Sequence, residues 1–566
     1  MRRVLVVASP VLAWVLWAAV TLPPPARPLA GAALVPGTPP TARGAYHMHS
    51  RASDGTGTID DIARAAAAAG LQFVIVTDHG NATRPVDAPR YVGGVLCIEA
   101  VEISTTDGHY VALDLPAPPY PLAGEGRDVA ADVARLGGFG IAAHPDSAKG
   151  ALLWRAWDAR IDGIEWFNAD SQWRDESRWR LLPTLLQYPL RPAETVVSLF
   201  DRPVSALRQW DELAARRRVV GFAAADAHAR MGWRGKAEPY DESLYVRAPS
   251  YESVFRAFSM RAELRDPLTG DGVRDARLIL DAVRGGRVYA AFDAVAGPAV
   301  LDFHAGSATA RAWQGGWLPG GDGAVRFDAR ANLPPGGSLV LLRNGNQVAQ
   351  ATGQALAHDD TQPGAYRIEA TVPGAPGSPP LPWIVSNPIY VGPAYAPATP
   401  EPPSAAPALA SLELPSGIWR IEKDQGSTGT FANTGTPEGV IREFAFQLAG
   451  AGTSPFVALV TDEAGATHDA TRLSFRARAS RPLRLSVQAR AANGATEPVR
   501  WQRSVYLDGT PREVTVAFAD MRVAGTGERA ALAPARISSI LFVIDTTNAR
   551  PGEGGRVWIT RLRTER

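Results

Sequence analysis

The chain has 566 residues, a length that predicts several domains. Hydrophobic residues make up 46% and charged residues 20%, which fits folded domains and excludes a disordered chain. The net charge of +1 gives no basic surplus, so no nucleic-acid partner is expected.

In chain order, Arg2 and Arg3 precede an apolar run from Val4 to about Leu22. Residues 1–30 therefore read as a signal peptide or an N-terminal membrane anchor. The body is expected to be exported: periplasmic, extracellular, or membrane-anchored facing outward. The Pro-rich stretch that follows, through residues 31–43, reads as an extended spacer.

From 44 to 293, strand-like runs alternate with helical ones, which argues an α/β barrel or an open parallel sheet. Expected strands are 71–76, 95–98, 109–113, 140–143, 163–166, 195–198 and 219–223. Expected helices include 129–136, 179–186, 203–217, 251–260 and 276–284. The first unit reads Y-H-M-H-S-R-A-S-D-G, then a helix, a strand and V-T-D-H-G-N. His47 and His49 are two apart, so a strand points both imidazoles to one side. Thr58 is an N-cap, Asp60 and Asp61 suit the first turn, and Gly70 signals the helix end. One β-α-β unit thus carries His47, His49, Asp54 and His79 to one end of a sheet. The lone cysteine, Cys97, sits in an apolar run and reads as a buried thiol, not a nucleophile.

Residues 294–392 lose helical periodicity and read as a small β-sandwich. Asn344-Gly345 marks a hairpin, and the unit closes with W-I-V-S-N-P-I-Y-V at 383–391. Residues 393–415 are a Pro/Ala-rich linker. Residues 416–566 alternate as strands and read as a jelly-roll of the galactose-binding type, a carbohydrate-binding module for glycan or cell-envelope contact.

Six of the nine histidines, His47, His49, His79, His109, His144 and His228, lie at or beside predicted strand ends in the first unit. Such convergence points to a metal centre. Glu102 and Asp226 add carboxylates, which can bridge two ions where an imidazole does not. His304, His358 and His468 are isolated and read as surface residues.

On these motifs (H-x-H-x-x-x-S-D-G at His47, T-D-H-G at Thr77, the acid Glu102, G-H at His109, A-H-P-D at His144 and D-A-H at Asp226) residues 45–293 resemble the polymerase-and-histidinol-phosphatase (PHP) metallohydrolases. The resemblance implies a distorted (β/α)7 barrel and a trinuclear centre of two to three divalent ions: zinc, manganese or iron. His47, His49, Glu102 and Asp226 would hold the first ion. Glu102 would bridge to a second held by His109 and His144. Asp54, His79 and His228 would hold the third. Glu99 competes for the bridging role, with Glu102 favoured by its spacing to Thr105 and Gly108-His109. Pocket candidates are Arg51, Asp78, Asp146, Glu165, Asn168 and Arg230, with Arg84 and Lys149 as further cations.

The expected activity is hydrolysis of a small-molecule phosphoester by metal-activated hydroxide. The layout ending at 383–391 also resembles the exported carbaryl-hydrolase-like branch, which makes an ester, amide or carbamate the alternative. Converging arginines would favour phosphate, and a site lined by tryptophan (Trp154, Trp157, Trp166 or Trp173) an apolar ester. Glycan binding through the jelly-roll is the third reading.

Overall fold

The computed structural model describes residues 14–18, 20–30, 39–232, 245–320, 323–393, 411–413, 418–437, 439–450, 454–462, 467–491, 498–525 and 530–566. Most of the apolar run 4–22 and most of the linker 393–415 lie outside the described residues. Among the described residues no helix is long and apolar enough to cross a membrane.

Strand β1 (Thr41–Tyr46) pairs in parallel with β2 (Phe73–Val76), and β2 with β3 (Val95–Glu99). Helix α1 (Ile59–Ala68) makes the first crossover. Thr58 and Asp61 close its capping box, and Ile62, Ala63 and Ala66 face the core. Gly70, at φ 72°, turns the chain into β2, a left-handed conformation that glycine adopts without strain.

A second sheet holds β4 (Val101–Thr105), β5 (Gly108–Leu113), β6 (Phe139–Ala142), β7 (Gly163–Asn168) and β8 (Val220–Ala224) in that spatial order. Helix α2 (Gly126–Arg135) links β5 to β6, and α3 (Val204–Ala214) precedes β8. Pairs β6–β7 and β7–β8 are parallel; β4–β5 and β5–β6 are antiparallel. Two single parallel bridges, Met48 to Ala227 and His79 to Glu102, join the sheets just past β1 and β2. A barrel-like wall results, built from two sheets with antiparallel members.

Three expected elements differ. Residues 195–198 end a helix, Pro192–Val197, because Pro192 at its start favours helix over the β-branched run. Helix 251–260 is shorter: α4 (Tyr251–Ala257) stops at Phe258, which is extended, and the chain enters β9 (Ser259–Glu263). Strand β9 pairs antiparallel with both β1 and β10 (Val288–Ala291), so two strands missed in the sequence extend the sheet beyond β1. Of the expected spacer 31–43, residues 41–43 open β1 and residues 31–38 lie outside the described residues. The stretch before it, Thr21 to Ala30, is tied down. Its carbonyl oxygens accept from Gln187 at Thr21, Arg191 at Pro23 and Asn332 at Ala30, and Arg27–Pro28 pairs with Ala296–Gly297.

The next unit continues the barrel sheet: β10 pairs antiparallel with Ile384–Ser386. Asn387 supplies the joint. Its Oδ1 accepts from Gly221 N (2.8 Å), and its Nδ2 donates to the carbonyls of Gly221 (3.0 Å) and Val288 (2.8 Å). One side chain satisfies three buried backbone groups of β8 and β10. Arg367, 2% exposed, forks onto Asp211 and also binds Glu369, which Arg202 grips from the barrel. The Asn344-Gly345 hairpin turn has both residues at positive φ, 49° and 79°.

Glu263 of β9 is buried at this joint, bonded through Oε1 to Gln314 (2.6 Å), while its Oε2 has no partner. Burial pushes its carboxyl up to about 8, and the Gln314 hydrogen bond offsets this only in part. The folded chain therefore holds a proton here that the unfolded chain gives up near pH 4. This stabilisation is complete below the unfolded pKa and is lost as pH rises through about 8. Glu263→Gln should raise the unfolding temperature at pH 8.5, by on the order of a few kcal/mol of stability, and leave it nearly unchanged at pH 4. Thermal unfolding at the two pH values checks this.

The last unit is a sandwich of two six-stranded sheets. One holds Gly439–Gln447, Gly554–Glu565 and Arg472–Ala479 at its centre; the other holds Phe456–Thr461, Ile537–Asp545 and Leu483–Ala491. Phe444, Phe475, Leu485, Val487, Phe542 and Ile559 fill the space between. The unit docks on α2. Arg484, buried, donates to both carboxylate oxygens of Asp132 (2.6 and 2.9 Å) and to the Asp128 carbonyl (3.0 Å). Arg503 pairs with Asp128, and Arg522 with Asp107.

Candidate metal centre

The site forms where the two sheets meet. His47 and His49 leave the end of β1 with buried Met48 between them. His47, His144 and Asp226 all take positive φ (63°, 29° and 43°), a conformation side chains rarely adopt. Such strain persists only where surrounding contacts over-determine it, and it clusters at working sites. Tyr251 donates to the His49 carbonyl (2.7 Å) and accepts from Gly57 N (3.2 Å). Asp78 accepts from the amide and hydroxyl of Ser50 and from the Ser53 hydroxyl. It thereby shapes the loop that delivers Asp54.

Glu102, wholly buried, is the hub. Its Oε2 lies 3.2 Å from His47 Nε2 and 3.2 Å from His49 Nε2. Those two nitrogens are 3.2 Å apart, and Asp226 Oδ1 is 3.4 and 3.2 Å from them. Four donors around a tetrahedral ion, each about 2.0–2.1 Å away, would be about 3.3 Å from one another. The other oxygen, Oε1, lies 2.9 Å from His109 Nδ1 and 2.9 Å from His144 Nε2. A third group gathers Asp54, His79 and His228: His228 Nε2 is 3.3 Å from Asp54 Oδ2, and His79 Nε2 is 3.8 Å from Oδ1. His49 Nδ1 approaches the same carboxylate at 3.6 Å. Asp54 Oδ1 and His79 Nδ1 are buried with no hydrogen-bond partner. Orphaned donors among imidazoles and carboxylates fit cations of the zinc, manganese or iron kind.

Hydrogen bonds behind the ring nitrogens set which atom faces inward. His144 Nδ1 is 3.1 Å from the Leu152 carbonyl and His228 Nδ1 is 2.9 Å from the Asp226 carbonyl, so each presents Nε2 to the site. Glu165, at the same sheet end, is fully buried. It meets His47 Nδ1 at 2.6 Å, accepts from Tyr46 OH (3.0 Å) and the His144 amide (2.8 Å), and receives Asn168 Nδ2 (3.0 Å). Asn168 also reaches Asp226 Oδ2 at 3.1 Å. Glu165→Gln should lower zinc affinity about 10- to 100-fold by releasing His47. Competition against a chromophoric chelator measures it, and a change below threefold would sink the assignment.

Electrostatics follow from the crowding. Burial opposes the charge on Glu102, yet the imidazoles, His47 foremost, hold its carboxyl well below the usual range. Burial would lower His49, but Asp226 and Glu102 push it up to about 10. Burial brings His79 down to about 4.

Of the remaining candidates, only Arg230 and Trp173 share a described cleft with the cluster. Asp146 accepts from Ser205 Oγ (2.6 Å) and Ala206 N (3.1 Å) at the start of α3 and does not face the cluster. Arg51 is exposed and bonds the Thr56 carbonyl within its own loop. Arg84 is exposed, 3.8 Å from Asp78, and Lys149 is on an exposed loop. Arg230 lines a cleft with Asp226 and His228. Glu99 pairs with Arg90 (3.6 Å) and accepts from Asp87 N. Trp154 and Trp166 are core residues at 1% exposure, Trp157 packs against the core, and Trp173 lines the cleft. Burial pushes the Cys97 thiol up to about 11, which leaves it unreactive. His304 and His358 are partly exposed in the second unit and His468 is exposed, but two are not isolated: His304 lies 3.2 Å from Asp302 and His468 2.8 Å from Asp469. The sequence reading missed Tyr251, whose partners are backbone atoms far along the chain. It also missed Arg174, paired with Asp170 beside the cleft; the i, i+4 spacing after β7 was its one signal.

Against known families, residues 45–106 match the model described as PHP domain, a family of metal-dependent hydrolases. The match includes His47, His49, Asp54, His79 and Glu102. No curated protein matches the chain. Among solved structures, the chain is similar to the family 11 carbohydrate-binding module of the cellulosomal cellulase Lic26A-Cel5E of Clostridium thermocellum. That similarity has 15% identity, 28% of this chain, 96% of the module and a TM-score of 0.23. The family 30 carbohydrate-binding module of cellulase Cel9D-Cel44B of the same organism gives 9%, 28%, 97% and 0.21.

Proposed function

We propose that the chain is an exported metal-dependent hydrolase with a distorted (β/α)7 PHP-type barrel, acting on a phosphoester. The observation that carries this reading is Glu102, whose two oxygens face two separate groups of donors. His47, His49 and Asp226 would hold one ion with Glu102, His109 and His144 a second, and Asp54, His79 and His228 a third. Ions bound there would make a nucleophilic water available near neutral pH and neutralise charge on the reacting oxygens. The protein's own part is positional. Glu165 and Asn168 fix His47 and Asp226, the Leu152 and Asp226 carbonyls fix two imidazole tautomers, and Asp78 fixes the Asp54 loop. Arg230 and Arg174 stand beside the Asp226–His228 cleft to receive an anionic substrate group.

A carbonyl substrate is the second reading. The run 383–391, which carries the carbaryl-hydrolase-like resemblance, binds two domains together through Asn387 and Tyr390. The observation favouring a carbonyl ester is instead Trp173 at the cleft. For the last unit we propose glycan or cell-envelope contact through surface other than the Arg484 face, which the barrel covers.

The test is hydrolysis of nitrophenyl phosphate and nitrophenyl acetate by the full chain supplied with zinc or manganese, beside a His47→Ala/His49→Ala variant. Phosphate turnover lost in the variant supports the first reading. Ester turnover alone, also lost, moves the assignment to the second. Activity on neither, or activity that survives the variant, rejects both.

A further inference from the structure

Past the centre, the cleft lined by Asp226, His228 and Arg230 shares the walls Trp173, Val196 and Pro249 with a second pocket. That pocket lies under the helix Arg178–Gln187 and is faced by Leu181, Leu185, Leu199 and Phe200. Besides the Trp173 indole on the shared wall, its two hydroxyl-bearing neighbours are spent on the protein. The Tyr188 hydroxyl bonds Ser253 Oγ (2.9 Å) and Ser250 N (2.8 Å), and Thr184 Oγ1 donates to the Arg180 carbonyl (2.7 Å). Among the described residues the surface that faces the pocket is apolar. Water gains little in such a space, and hydrocarbon gains the most.

The covering helix is anchored at both ends. Arg180 donates to the Ser198 carbonyl (2.9 Å) and Asp201 (3.1 Å), and Gln187 donates to the Thr21 carbonyl (2.8 Å). The pocket is therefore held open by polar bonds at its margins. Leu185, 43% exposed, stands at its edge.

We infer that this pocket is a substrate subsite for an apolar arm, alkyl or aryl, attached to the group hydrolysed at the metal centre. The arm crosses Trp173, whose indole forms the shared wall, and ends against Leu199 and Phe200. The inference rests on the hydrolase reading and narrows its substrate class to esters or phosphoesters with a hydrophobic substituent; small ionic phosphates lack the group that the pocket takes.

The test is calorimetric titration of the zinc-loaded full chain with methyl-, propyl- and butylphosphonate. Wild-type affinity should rise with arm length, butylphosphonate binding at least about tenfold tighter than methylphosphonate. In Leu185→Glu, methylphosphonate should bind as in wild type while the gain for propyl and butyl is lost. Leu185→Ala, which keeps the pocket apolar, should retain most of the gain. A flat series on chain that hydrolyses either nitrophenyl substrate overturns the subsite and leaves the hydrolase reading standing. A gain that survives Leu185→Glu overturns it as well. Failure of methylphosphonate to bind, with neither nitrophenyl substrate turned over, overturns both.

Discussion

Glu102→Gln should abolish turnover and strip the chain of metal. An amide keeps the size of the carboxylate but replaces one of two acceptor oxygens with a donor, which turns hydrogens towards ring nitrogens that present lone pairs to an ion. Both oxygens of Glu102 lie within 2.9–3.4 Å of histidine nitrogens, so either amide orientation disrupts one donor group. Losing the charge stabilisation of bound ions costs several kcal/mol in the transition state, about a thousandfold or more in rate. Steady-state kcat/KM on the better nitrophenyl substrate, with metal content by atomic emission, checks both parts. Glu99→Gln is the control: Glu99 pairs with Arg90 away from the cluster, and its variant should keep metal and activity. Glu102→Gln with full metal content and activity within tenfold of wild type would rule out the bridging role.

Arg484→Ala should be the most destabilising single change at the interface of the last unit. Arg484 answers two carboxylates of α2, and its removal leaves Asp132 with Arg135 and the Tyr120 hydroxyl, and Asp128 with Arg503. Burial opposes the charge of Asp128, and Arg484 and Arg503 outweigh it to hold the carboxyl below its usual range. Breaking a buried pair from one side costs about 3–5 kcal/mol because the partner charge stays behind. Denaturant unfolding of the full chain gives the number, and a loss under about 1 kcal/mol would show the interface to be wetter than the geometry implies. Asp128→Asn/Asp132→Asn on the Arg484→Ala background should recover part of the loss, which a simple cavity would not.

The motifs at the strand ends were legible because they are local. The two-residue spacing of His47 and His49, the capping box at Thr58 and the D-A-H after β8 each state their geometry within a few residues. The β-branched residues at 195–197 misled for the same reason: Pro192 decides that segment, and helix packing decides against a strand. Strands β9 and β10 were missed because their partners, β1 and Ile384–Ser386, are distant in sequence. The roles of Asn387, Tyr251 and Glu165 depend on backbone groups or rings that only the closed fold brings near. The Arg484 interface spans 352 residues to Asp132, and nothing in either local sequence marks it.

The attachment of residues 21–30 to the barrel and the second unit has a mechanical meaning. Thr21, Pro23 and Ala30 are each held by a side chain of the folded body, and Arg27–Pro28 is an edge strand. Through these contacts the helical turn ending at Thr21 is fastened directly to the domain that carries the histidines. A dye attached at residue 20 would therefore tumble with the whole body and not as a whip, giving slow rotational depolarisation. Anything fastened at residue 20 would dictate which way the histidine-bearing rim points.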